Sequence, residues 1–169
     1  MGGGGGGYSR DCLFEGLTFI LDTIIVSVMA SVNTQFSIAV HVLAALAHYE
    51  VTFTSLVLAG SVNANPVFVK RILVKLSKAK LVETTVGKSG GYALARDPKK
   101  ISLLDIYQAV DAPSAFAIHT YAESKGCKVS CNVKEVMGDV LERSQKTLEA
   151  ELERTTLADM VKNIRLLAG

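Results

Sequence analysis

Residues 63–80 run from Asn-Ala-Asn-Pro into VFVKRILVKLSKAK, and no other stretch limits the fold as much. Asn65 suits a helix N-cap, because its side-chain oxygen can accept a backbone N–H that has no helical partner. Pro66 suits the first helical position, where its missing donor removes nothing. A helix is therefore expected from Pro66 to about Lys80. At helical spacing Val69, Ile72, Leu73 and Leu76 share one stripe, and Lys70, Arg71, Lys75 and Lys78 lie around the opposite side. Val67 and Val74 also lean toward the basic side, where small apolar groups could meet thymine methyls. Upstream, SLVLAGSV reads as a shorter helix over Ser55–Val62, started by Thr54 or Ser55 as its cap. Two helices joined by a turn of about four residues make a helix-turn-helix. A basic helix face alone is equally what an ordinary solvated helix shows, so the next segment decides.

That segment is LVETTV, then GKSGG, then YALA. Alternation with β-branched residues on both sides of a glycine-rich turn predicts a β-hairpin. Its GKS also resembles the end of a phosphate-binding loop, but such a loop needs a glycine five positions before the GK and a helix after it. Val82 occupies that position and a strand-like segment follows, so the nucleotide reading fails. Gly87, Gly90 and Gly91 are expected to supply positive φ in the turn, with Lys88 and Ser89 at the tip facing DNA phosphates. A hairpin directly after a helix-turn-helix is the wing of a winged helix.

Charge is distributed to match. Residues 51–100 carry nine Lys and Arg against Glu83 and Asp97, whereas the chain as a whole has a net charge of only +2. A basic surplus confined to one segment fits a local polyanion-binding face. The chain's 169 residues suffice for a core without disulfides, and its three cysteines, Cys12, Cys127 and Cys131, do not form a disulfide framework. A reducing, cytoplasmic setting is expected. Gly2–Gly7 and the apolar stretch Leu13–Val32, broken by Glu15 and Asp22, read as an extension foreign to the domain, with an extra packing helix as the alternative. Two acids within that stretch argue against a membrane anchor.

Downstream, Ser102 caps a helix with Asp105 in its first turn and Leu103, Leu104, Ile106, Tyr107 and Val110 on its apolar face. A loop through Pro113 and His119 reaches the cysteines. A long amphipathic helix is expected from about Val133 to Arg154, and a short one carries Leu157, Met160, Val161, Ile164 and Leu167. The long helix has more apolar face than one short neighbour covers. Either a helix of a second subunit or the first helix of the same chain, residues 34–49, could cover it.

The run SVNANPVFVKRILVKLSKAKLVETTVGKSGGYALARDPKKISLLDIYQAVD resembles the Rrf-two (redox response factor) family of bacterial winged helix-turn-helix transcription regulators, within it the YwnA-like branch. The resemblance runs from about Asn33 to the C-terminus. It implies a homodimer that crosses its long C-terminal helices and binds partly palindromic operators, usually as a repressor. Two departures stand out. Val86 replaces the Arg that commonly precedes the first wing glycine. The segment before the long helix offers only Cys127 and Cys131, with His119 nearby, where several relatives hold an iron-sulfur cluster on three cysteines and a fourth ligand.

The expected fold is thus mainly α with a small β-hairpin wing: a winged helix-turn-helix domain over residues 33–100, a helical linker and dimerisation region over 101–169, and an extension over 1–32. The expected partners are a double-stranded DNA operator and a second copy of the chain. Ser55, Asn65, Val67, Phe68, Lys70, Arg71, Lys75, Lys88, Ser89 and Gly90 are expected at the DNA. No catalytic residue is expected and no cofactor is assigned. Cys127, Cys131 and His119 are left as a redox pair, an iron-sulfur ligand set or incidental residues, and a small-molecule effector stays open. A winged-helix adaptor without DNA binding is the competing reading.

Overall fold

A computed structural model describes residues 34–87 and 90–168. Helix α1 (residues 34–49) turns Ala39, Val42, Leu43, Leu46 and Ala47 inward, with Phe36 and Ile38 packed half-buried against them. Helix α2 (Ser55–Val62) adds Leu58 and Ala59, and α3 (Pro66–Lys78) adds Val69, Ile72, Leu73 and Leu76. Fully burying a Leu, Ile or Val side chain contributes about 1.5–3 kcal/mol. The four-residue stripe of α3 is therefore a principal tie between the turn and the core.

The helices stop for local reasons. Glu50, Asn63, Lys80 and Asp111 each adopt positive φ (55°, 56°, 57° and 50°) directly after or close to a helix end. This left-handed conformation releases the chain from the helix while returning N–H groups to its last carbonyls. At the α2 end, the Asn63 and Ala64 amides donate to Gly60 and Ala59 at 3.2 and 3.1 Å.

Strands β1 (Val82–Thr85) and β2 (Gly91–Leu94) pair antiparallel in the register Val82↔Leu94 to Thr85↔Gly91. Tyr92 also exchanges two backbone hydrogen bonds with Phe53, at 2.8 and 3.0 Å, so the hairpin is anchored to the segment between α1 and α2. Gly87 has φ 127°, as its turn requires. Gly90 and Gly91 correct the sequence expectation, because their need is for space and not for positive φ. A Cβ at Gly90 would lie 2.4 Å from the Thr85 carbonyl oxygen, and one at Gly91 would lie 2.6 Å from that of Phe53.

A 3-10 turn (Pro98–Lys100) leads to α4 (Leu103–Ala109), whose start carries a full capping box: the Ser102 amide donates to Asp105 and the Asp105 amide to Ser102, both at 3.0 Å. Helix α5 (Lys128–Arg154) begins five residues before the expected Val133. Cys127 is its N-cap, with Sγ accepting from the Ser130 amide at 3.5 Å, and cysteine is not a residue from which a helix start is ordinarily read. No residue of α5 is buried. Helix α6 (Leu157–Ala168) returns to the domain: the Leu157 amide donates to Ile101 at 2.8 Å, the Leu103 amide to Thr155 at 2.9 Å, and Leu157 and Val161 join the core. Among the described residues no helix is long and apolar enough to cross a membrane.

Candidate nucleic-acid interface

Asn65 holds the start of α3 as its spacing predicts, its Oδ1 accepting from the Val67 amide at 2.9 Å. Its amide nitrogen and the second lone pair of Oδ1 are left to meet a further partner. Beyond this cap the two faces of α3 separate. Val69, Ile72, Leu73 and Leu76 are buried, while Lys70, Arg71 and Lys78 are exposed and Val67 and Val74 keep 62% and 46% of their surface accessible. Cations and small apolar groups on one free helix face match the donors and methyl contacts that the DNA major groove accepts. Phe68 and Ser55 are half-buried, and Phe68 packs against the core.

Lys75 departs from the expected pattern. Although helical spacing groups it with Arg71, its Nζ turns inward to the Val110 carbonyl at 2.7 Å, Gln35 Oε1 at 3.1 Å and Asp111 Oδ2 at 3.3 Å. The carbonyl at the end of α4 attracts an ammonium group, since helix C-termini carry partial negative charge. Lys75 is thus not displayed beside Lys70 and Arg71.

The hairpin lies next in the chain, and Arg96 fastens its far end to α3 by donating to the Ala79 and Lys80 carbonyls at 2.9 and 3.1 Å. Val86 is 93% exposed, and Gly90 closes the turn by donating to Gly87 at 2.9 Å. Lys88 and Ser89 lie outside the described residues, as does Cys12. Sequence reasoning missed Phe53, whose bridge to Tyr92 orients the hairpin. The alternating Val51-Thr52-Phe53-Thr54 segment between two helices was the available signal.

Cys127 and Cys131 are both free and exposed, and sit at the cap and first turn of α5. The Cys131 thiol lies 3.7 Å from the Ser124 carbonyl. His119 is exposed, with its ring 5.7 Å from that of Tyr121. Among the described residues no group of three or more His, Cys, Asp or Glu side chains converges to hold a metal.

Two helices joined by the Asn63–Asn65 turn, a basic free face on the second and a tethered hairpin behind it define a winged-helix protein. Residues 32–163 match the model of the Rrf2 family, described as "Iron-dependent Transcriptional regulator", and the chain belongs to that family. It is 33% identical over 134 residues to YwnA of Bacillus subtilis, described as an HTH-type transcriptional regulator, covering 79% of this chain and 98% of YwnA. Among solved structures, a transcriptional regulator from Lactobacillus plantarum superposes with a TM-score of 0.67 at 29% identity, covering 78% of this chain and 90% of the other. The IscR of T. potens does so with a TM-score of 0.58 at 26% identity, covering 78% and 85%. The proteins it resembles are named as regulators and not as enzymes, and DNA-binding transcription regulation is the function this family membership supports.

The family's description as iron-dependent sets a test for the cysteine segment. A cluster needs about four ligands, and the described residues bring no three together. Among the described residues, this donor set does not fit an iron-sulfur cluster.

Proposed function

We propose that the protein is a homodimeric, sequence-specific DNA-binding regulator that represses transcription in the cytoplasm. The observation that carries this reading is the free face of α3, where Val67, Lys70, Arg71, Val74 and Lys78 stand exposed around a helix whose other side is fully committed to the core. Asn65 and Val67 at the start of α3 would meet base edges. Lys70 and Arg71 would supply charge and base contacts, and Ser55, Gly90, Lys88 and Ser89 would touch backbone from either side. Phe68 would support this surface from beneath.

Pairing of two chains is supported by α5. Val129, Val133, Val136 and Val140 fall on one side of the helix at ~100° per residue, and all but the half-buried Val133 are exposed. A valine stripe of this kind suits a second copy of the same helix. In this division residues 33–100 read DNA and residues 101–169 pair the subunits, with α6 returning to brace the reading unit.

A redox response is favoured by the exposure of both described thiols at the start of the same helix. Hydrogen peroxide would oxidise Cys127 and Cys131 to a disulfide, its O–O bond breaking and both thiol hydrogens passing into two molecules of water. Alkylation after peroxide treatment checks this step: both thiols should become unreactive together, and independent loss of one contradicts it.

The function is tested by selecting duplexes from a random-sequence pool with the full chain and counting chains bound per selected duplex. Enrichment of inverted half-sites about one helical turn apart, roughly 34 Å, with two chains per duplex is the expected result. A pool that stays random while the protein remains folded would favour an adaptor that has kept the winged shape without DNA reading.

A further inference from the structure

Lys75 is a basic residue on the helix assigned to DNA, yet its Nζ is drawn to acceptors within the protein. An ammonium group has three N–H bonds. Here three acceptors surround it, the Val110 carbonyl at 2.7 Å, Gln35 Oε1 at 3.1 Å and Asp111 Oδ2 at 3.3 Å. The side chain retains 34% of its surface, and Val110 beneath it is fully buried. Engaging a phosphate would mean giving up bonds that hold α3 to α1 and to the end of α4.

The segment Lys75 grips is also held from the opposite side. The Ala115 amide donates to Gln145 Oε1 of α5 at 3.0 Å. Gln145 Nε2 lies 3.3 Å from the Tyr107 hydroxyl and 2.8 Å from Glu149 Oε1. Tyr107 in turn donates to the Pro113 carbonyl, and its ring meets Phe36 edge-on at 5.6 Å, one residue from Gln35. Residues 110–115 are therefore clamped between the DNA-facing helix and the long helix.

We infer that Lys75 is a positioning residue for DNA binding: it sets the angle of α3 through the 110–115 junction and couples that angle to Gln145 of α5, without contacting DNA. This rests on the reading of the protein as DNA-binding. Any displacement of α5 that moves Gln145 is transmitted to the junction and from there to Lys75, which gives the long helix a physical route to the reading helix.

The test uses the full chain and a selected duplex, or a 30-base-pair duplex of mixed sequence if none is enriched, with affinity measured across a salt series for Lys75→Met, Gln35→Leu, Gln145→Ala, Lys75→Met/Gln145→Ala and Arg71→Ala. A lost phosphate contact lowers the slope of log affinity against log salt by about one. The expected result is that Lys75→Met and Gln35→Leu each weaken binding about tenfold with the wild-type slope intact, whereas Arg71→Ala lowers the slope. Lys75→Met and Gln145→Ala should also combine to less than the product of their separate effects. A lower slope in Lys75→Met, or unaltered affinity in Gln35→Leu, would overturn the inference. Gln35→Leu keeps the lysine and only removes an acceptor, so it decides the matter even if Lys75→Met unfolds. Wild-type protein that binds neither duplex would instead remove the DNA-binding reading, and this inference with it.

Discussion

Arg96 and Ala79 meet at 2.9 Å, guanidinium Nη2 to backbone carbonyl, and this contact closes the hairpin onto the end of α3. A second bond from Nε to Lys80 makes the grip two-pronged. These carbonyls follow the last turn of α3, where a cation is favoured by the helix dipole. Arg96→Ala should therefore cost about 1 kcal/mol and loosen the hairpin selectively. Urea unfolding gives the first quantity, and amide exchange at Glu83 and Ala93 gives the second. Arg96→Lys should recover only part of either, because a lysine lacks the planar fork.

Gly91 makes a sharper prediction. Its missing Cβ is what lets the hairpin approach Phe53, since an added carbon would stand 2.6 Å from the Phe53 carbonyl oxygen and 2.8 Å from Thr52 Cγ2. Gly91→Ala should force the hairpin away from Phe53 and destabilise the fold by about 1–3 kcal/mol. The Tyr92 and Phe53 amides should lose exchange protection together. Unchanged protection at these two positions would contradict the bridge.

Acid should weaken the start of α6. The Asp159 carboxyl is held below its ordinary range by the hydrogen bond from the Thr156 hydroxyl and then by the one from the Thr156 amide. A carboxylate whose folded value is depressed stabilises the fold above its unfolded value, about 3.9, and that stabilisation is lost as pH falls through the lower folded value. Stability measured between pH 6 and pH 3 should fall at the acid end. Asp159→Asn should flatten part of that fall. The Glu142–Lys146 pair on α5 contributes in the same direction, because the Lys146 hydrogen bond lowers the Glu142 carboxyl. Both groups are exposed, so added salt should shrink the Glu142 share.

The sequence foretold these elements unevenly, for identifiable reasons. The four buried positions of α3, the Asn65 cap and the Ser102 cap were legible because each depends on residues within one or two turns of one another. The winged-helix class was legible for the same reason. Lys75 was not: periodicity pairs it with Arg71, and only a carbonyl 35 residues further on draws it away. The Phe53 bridge was hidden likewise, because its partner Tyr92 lies in a strand reached after two helices. The start of α5 was placed late because Cys127 caps with a thiol. Local chemistry was readable and long-range pairing was not.

The most direct measurement is the affinity of the full chain for a fluorescently labelled 30-base-pair duplex, followed by anisotropy as salt is raised. Each phosphate neutralised contributes about 0.9 to the slope of log affinity against log salt. The basic face of α3 and the hairpin should give a linear fall with a slope of several units, reduced by about one in Arg71→Ala. Absent binding at low salt, or an affinity indifferent to salt and to Arg71→Ala, would contradict DNA recognition by this face.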